Sequence, residues 1–279
     1  FAWVDVPGTP VPGTVPFEQR PRLERRDYIF NANDSYWLTQ PAAPLTGYSP
    51  LYGPEATARS LRTRMNVQLL DPDSPYGYAG DDGRFNRREI QEALFSNRSL
   101  AAELLKDALV EACRTTPAVT IEDERRDLTR ACNALDAFDG RFDEDSRGAV
   151  LFREWLARYD YAEHFDAGSL FAEPFDAARP VTTPAGLADA AVALDHLAAA
   201  VAVLEAAGLP LDALKKGTIV ENNINQTVAS GINNASPGVA FTLPALFLLG
   251  EDFDALSVIL AAIAGSFLGI VVIIPLRKQ

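Results

Sequence analysis

"RRDYIFNANDSYWLTQPAAPLTGYSPLYG", residues 25–53, crowds rings, amides, carboxylates and prolines into one segment. An amphipathic helix repeats its apolar residues every three to four positions, and a half-buried strand repeats them every two. This stretch does neither. Asn-Ala-Asn-Asp-Ser at 31–35 is on its own a turn sequence, because short amide and carboxylate side chains bond the backbone two residues on. The open question is what so many polar groups do beside so many rings.

Outside this loop the texture divides. Residues 1–85 are rich in Pro, Gly, Tyr and Asp and predict loops and short strands, with one helical piece near 55–70. Residues 86–214 predict helices. "NRREIQEALFS" and "SLAAELLKDALVEACR" carry apolar residues at helical spacing, with Asn97 or Ser99 as N-cap of the second. "IEDERRDLTRACNALDAF" predicts a helix with acidic residues at its positive end. "DSRGAVLFREWLARYDY" turns helical after Gly148, and "TTPAGLADAAVALDHLAAAVAVLEAAGL" predicts an Ala-rich helix opened by Thr183–Pro184.

The formal net charge of −13 argues against a nucleic-acid partner. Lys215, Lys216, Arg277 and Lys278 cancel Glu221, Glu251, Asp252 and Asp254, so the whole −13 lies in residues 1–214. Such a break marks a boundary near residue 215. In the neutral part, 255–274 has only Ser257 and Ser266 as polar members and is long enough to cross a hydrocarbon core. Pro275 ends it, Arg277 and Lys278 flank it, and Gly265 and Gly269 form a GxxxG pair. With the Pro244-broken apolar piece before it, the expected membrane contact runs over 237–274. A buried core helix is the competing reading. Cys113 and Cys132 fit either a disulfide or two buried thiols.

"VPGTVPFEQRPRLERRDYIFNANDSYWLTQPAAPLTGYSPLYG", followed by "RSLRTRM", resembles the β-chain of penicillin-acylase-type N-terminal nucleophile hydrolases. It is most similar to the branch of acyl-homoserine lactone and aculeacin-type acylases. "ALDAFDGRFDEDSRGAVLFREW" also resembles that family, with Phe138 where Trp is usual. The resemblance covers residues 1–214 and implies an α+β fragment of an αββα fold, loops and short strands leading into helices. The implied activity is hydrolysis of the amide bond of N-acyl substrates such as acyl-homoserine lactones, lipopeptides or β-lactams, without cofactor or metal.

In that family an N-terminal Ser attacks the carbonyl with its own α-amine as base. An Asn side-chain NH₂ then steadies the oxyanion. The resemblance places this donor at Asn33, with Asn31 as alternative. It gives Arg62 the task of holding the Asn and the α-amine region, with Arg59 and Arg64 as competitors. The bland alternatives are an Asx-type bend for Asn33 and a solvated helix face for the arginines. Phe1 offers neither hydroxyl nor thiol, so the chain alone is expected to hydrolyse nothing and to need the missing part of its acylase precursor as partner. The acylase portion is expected outside the cytoplasm, periplasmic or extracellular.

"GTIVENNINQTVASGINNASPGVAFTLPALFLLG" resembles a stretch of the OPT oligopeptide transporter family, which implies a membrane-type α-helical tail over 215–279. Its polar residues Glu221, Asn222, Asn223, Gln226 and Thr227 are then pathway candidates or a juxtamembrane loop. Three readings therefore compete: an acylase fragment joined to a transporter fragment, a membrane-anchored acylase, and a non-catalytic helical interaction module on an anchor. Other constellations are weaker. "YAGDDGRFNRREI" misses the first two ligand positions of a calcium loop, His164 and His196 are too sparse for zinc or a triad, and Ser146 lacks a GxSxG turn.

Overall fold

Residues 13–60 are held by side chains bonding backbone, the competition that keeps Ser, Asn and Asp out of regular elements. Single 3-10 turns form at Phe17–Gln19, Tyr36–Leu38 and Pro50–Tyr52, the last two capped by the hydroxyls of Ser35 and Ser49. The computed structural model describes residues 9, 11, 13–121, 123–143 and 145–211, and within 1–85 these contain no strand, contrary to expectation. Tyr36 stands edge-on to Tyr48 at 5.5 Å and to Tyr52 at 6.4 Å. Glu55 ties the loop together, accepting from the Tyr36 hydroxyl and from the amides of Gly47 at 2.9 Å and Tyr48 at 3.0 Å. Committed there, Glu55 does not open a helix. Helix α1 spans Leu61–Leu70 instead, capped by the Ser60 hydroxyl.

Helix α2, Arg87–Leu94, starts on a reciprocal cap between Asn86 and Glu89. Glu89, the final residue of the calcium-loop pattern, is thereby occupied. Helix α3, Leu100–Thr115, is capped by Ser99, while Asn97 sits at φ 48° and donates to Asp143 at 2.7 Å. The helix expected over 121–138 is mostly something else. Strands β1, Ala118–Ile121, and β2, Glu124–Asp127, form an antiparallel hairpin with Ile121 opposite Glu124. The β-branched run Val119-Thr120-Ile121 suits a pleated edge, and Val119 and Ile121 pack on the core. Asp123 turns the chain at φ 65°. Only Thr129–Asp136 is helical, as α4.

Helix α5, Ala149–Leu156, begins after Gly148 as expected. The Ala-rich helix does not begin at Thr183–Pro184. That bond is cis and leads into strand β4, Ala185–Leu187, which pairs antiparallel with β3, Phe171–Glu173. Helix α6, Ala190–Ala206, starts two turns later on Asp189, whose carboxylate accepts from the amides of Ala191 and Val192. The described residues thus make a mixed α/β structure with two separate two-stranded sheets.

Helix α3 is central, against α1, α4, α6 and β4. Leu105, Leu109, Leu135, Phe152, Trp155 and Leu197 fill the core with no exposed surface. Trp155 keeps its indole nitrogen satisfied by donating to the Ala193 carbonyl at 3.0 Å. Cys113 of α3 and Cys132 of α4 form a disulfide, Cα atoms 5.6 Å apart and 19 residues apart in sequence. Closing a loop of that size restricts the unfolded chain, so Cys113→Ala with Cys132→Ala is expected to lower stability by about 3 kcal/mol. Urea unfolding of the double variant beside the parent checks this, and coincident curves would remove the disulfide from the stabilising terms.

Among the described residues no helix is long and apolar enough to cross a membrane. The span expected at 255–274, the membrane contact over 237–274, and Glu221, Asn222, Asn223, Gln226 and Thr227 lie outside the described residues.

Candidate active site

Asn31 and Asn33 differ in what their side chains do locally: only that of Asn31 is spent on the bend. Asn31 builds the bend: its Oδ1 accepts from the Asn33 amide at 2.8 Å, and its Nδ2 donates to the Asp34 carbonyl at 3.5 Å. Asn33 sits at the corner, at φ 57°. Asn tolerates this left-handed conformation better than most residues. Its side chain is exposed and left free of the turn.

Arg62, second residue of α1, reaches that corner. Its Nη2 donates to the Ala32 carbonyl and, at 3.3 Å, to Asn33 Oδ1. A guanidinium has only donors, so the amide must present its oxygen to Arg62 and its NH₂ outward. No described residue accepts from that NH₂. The cation also pulls electron density from the amide oxygen, which strengthens Nδ2–H as a donor.

Asp34 fastens the corner from below. Its Oδ1 accepts from the Ser35 amide at 2.8 Å and from Arg59 Nη1 at 2.5 Å, and its Oδ2 accepts from the Thr63 hydroxyl at 2.8 Å. Burial pushes its pKa up, but the bonds from Thr63, Ser35 and Arg59 together outweigh it and hold the carboxyl below its usual value. Arg59 is 2% exposed, and each of its three side-chain nitrogens donates. It also donates to the Thr57 carbonyl, the Pro54 carbonyl and the Thr57 hydroxyl, and lies 5.3 Å over the Trp37 ring. Trp37 meets Phe175 edge-on at 6.4 Å. The rings therefore wall a polar clamp, which answers why polar groups and rings share one loop.

The two helical arginines separate because two residues along a helix is roughly 200° around it. Arg64 points away from Asn33 into the interior, with no exposed surface, and donates from Nε to the Val181 carbonyl at 2.8 Å. Burial pulls its pKa down to about 10. Of the three candidate arginines, only Arg62 touches the Asn33 side chain. Asp34 and Thr63 were not anticipated; the available signal was the Ser60-x-x-Thr63 helix start with an Asp beside the Asn pair.

The other polar candidates stand apart from this corner. Ser146 bonds Asp139 at 3.1 Å and accepts from the Asp143 amide, a loop-closing role. His196 lies edge-on to Tyr159, ring centroids 4.4 Å apart, and burial lowers the His164 pKa. Among the described residues no group of three His, Cys, Asp or Glu side chains could hold a metal ion.

The Penicillin amidase family model matches residues 2–245, past the compositional break near 215. Aculeacin-A acylase of Actinoplanes utahensis is 42% identical over 184 residues, covering 64% of this chain and 22% of that protein. The acyl-homoserine lactone acylase PvdQ of Pseudomonas putida is 32% identical over 187 residues, covering 67% of this chain and 21% of that protein. The PvdQ of Pseudomonas savastanoi pv. phaseolicola is 31% identical over 177 residues, covering 63% and 21%. The chain thus spans about a fifth of the length of the curated relatives it matches. With the match running through most of its length, the chain belongs to the penicillin amidase family.

Proposed function

We propose that this chain carries the oxyanion-stabilising part of an amidohydrolase that cleaves the amide bond of N-acyl substrates, the class named by its relatives, with Asn33 as donor and Arg62 as its positioning group. One observation carries the reading: Arg62 occupies the Asn33 amide oxygen and leaves the NH₂ facing out from a fixed corner. When a nucleophile adds to an amide carbonyl, the oxygen gains a full negative charge. A donor already aimed at that position stabilises the tetrahedral state more than the ground state.

Beside Asn33 the described residues supply a donor and its support, and no hydroxyl or thiol with a base. Ser35 is spent on its cap and Thr63 on Asp34. We place the attacking group elsewhere in the polypeptide, in the αββα arrangement that the family resemblance implies. The disulfide favours an oxidising location, periplasmic or extracellular. The apolar run 255–274 supports a second component of the reading, a membrane-attached acylase whose tail is an anchor or a transporter-like segment.

The test is an assay with N-octanoyl-homoserine lactone. A full-length acylase polypeptide carrying these residues is expected to release octanoate, whereas the 279-residue chain alone stays at the buffer rate. An inactive full-length polypeptide would defeat the proposal, and release by the chain alone would defeat the placement of the nucleophile.

A further inference from the structure

A cleft of about 580 Å³ lies between the end of α1, the 76–78 turn and the start of α3. It involves neither Asn33 nor Arg62. Its floor is apolar, with Leu100 buried and Leu104 and Tyr78 half-buried against the core. Two guanidinium groups, Arg98 and Arg141, enter it side by side because their backbones form an antiparallel bridge. Two like charges held together repel, and an anion between them relieves that repulsion.

Glu103 supplies one negative charge, and it goes entirely to Arg98, through bonds of 2.7 Å and 3.0 Å. Arg98 is otherwise taken up by the Tyr76 carbonyl at 2.6 Å and the Tyr76 ring. Arg141 spends Nη1 on the Ser96 carbonyl, and no described carboxylate pairs with it. The described residues lining the cleft therefore carry two positive charges and one negative, in a chain whose net charge is −13. Gln68 on the same wall has a buried Oε1 without a donor, an acceptor that repels a second anionic group.

We infer that this cleft binds a monocarboxylate with an apolar chain, its carboxylate on Arg141 and its chain along Leu100 and Leu104. One uncompensated cation admits one anion, and the apolar floor favours a hydrocarbon tail over a small, hydrated acid. The size lies within the range of small-molecule sites.

The probe is octanoate, titrated into the full chain by calorimetry and located by amide chemical shifts. Octanoate is expected to shift residues around Tyr76–Tyr78 and Leu104, and to bind about 30-fold more tightly than acetate. Octylamine, with the same chain and opposite charge, is expected not to bind. Arg141→Gln should weaken octanoate by about tenfold and Arg141→Lys by less than about threefold. Should Arg141→Gln lose its fold with the Ser96 contact, Leu104→Glu places a competing carboxylate on the wall and is expected to abolish binding. Equal binding of octylamine, unchanged affinity in either charge-altering variant, or shifts confined to other residues would each overturn the assignment.

Discussion

With the donor role proposed for Asn33, Asn33→Leu in a full-length polypeptide carrying these residues is expected to lower kcat about 10²–10³-fold with KM changed less than about threefold. Leucine keeps the size of the side chain and removes its only donor. The ground-state carbonyl gains little from that donor, so substrate binding should survive. The tetrahedral oxyanion gains much, so the loss should fall on kcat and appear equally in kcat/KM. Leucine at φ 57° also strains the backbone by about 1 kcal/mol, which confounds activity with folding. Asn33→Gly separates the two effects, since glycine accepts that φ freely yet still lacks the NH₂. Both variants should lose turnover alike although only leucine loses stability. A glycine variant with parental kcat would show that the corner's shape, and not its amide, matters. Asn33→Asp sharpens the case, because Arg62 can still grip it while an oxygen anion replaces the donor.

How far the sequence alone reached depended on whether the deciding forces were local. Helices α2, α3 and α5 carry their own instructions: Asn86 with Glu89, Ser99 ahead of the apolar run, and Gly148 at the entry. The hairpin at 118–127 did not, since "ERRD" has high helical propensity and becomes strand only because Val119 and Ile121 find the core. Tertiary packing overrode propensity there. Likewise Pro184 read as the first turn of a helix, yet Gly186 at φ 70° and the pairing of Ala185 with Glu173 place it before a strand.

At the candidate site, the Asn33–Arg62 pair came from a family resemblance and not from any local rule. Asn31 and Asn33 have the same chemistry and differ only in backbone, one feeding the turn and the other lifted out by it. That distinction is conformational, so composition and spacing could not make it. Nor could they show that Arg59 and Arg64, chemically equal to Arg62, are held by Asp34 with Trp37 and by the Val181 carbonyl.

Among the described glycines whose surroundings are known, Gly148→Ala should cause the largest loss of stability, about 3 kcal/mol or more. A Cβ at Gly148 would lie 2.4 Å from the Ala134 carbonyl oxygen, 3.1 Å from its carbon and 3.1 Å from Phe138 Cβ. The clash is with backbone of α4, which cannot swing aside as a long side chain would. Ala134 and Phe138 are each 1% exposed, so relieving the contact means parting α4 from α5 inside the core. The φ of 78° adds the ordinary cost of a left-handed alanine. Gly47→Ala isolates that second cost, because Gly47 has φ 86° with nothing within 4 Å of the new methyl. Urea unfolding followed through the buried Trp155 should therefore show a loss of about 1 kcal/mol at position 47 and several times that at 148. Because α5 carries Trp155 and Phe152 into the core, the Gly148 variant should also lose the fixed indole environment before full unfolding. Equal losses at the two positions would mean that α4 and α5 do not approach so closely, and that the entry to α5 is held by glycine's backbone freedom alone.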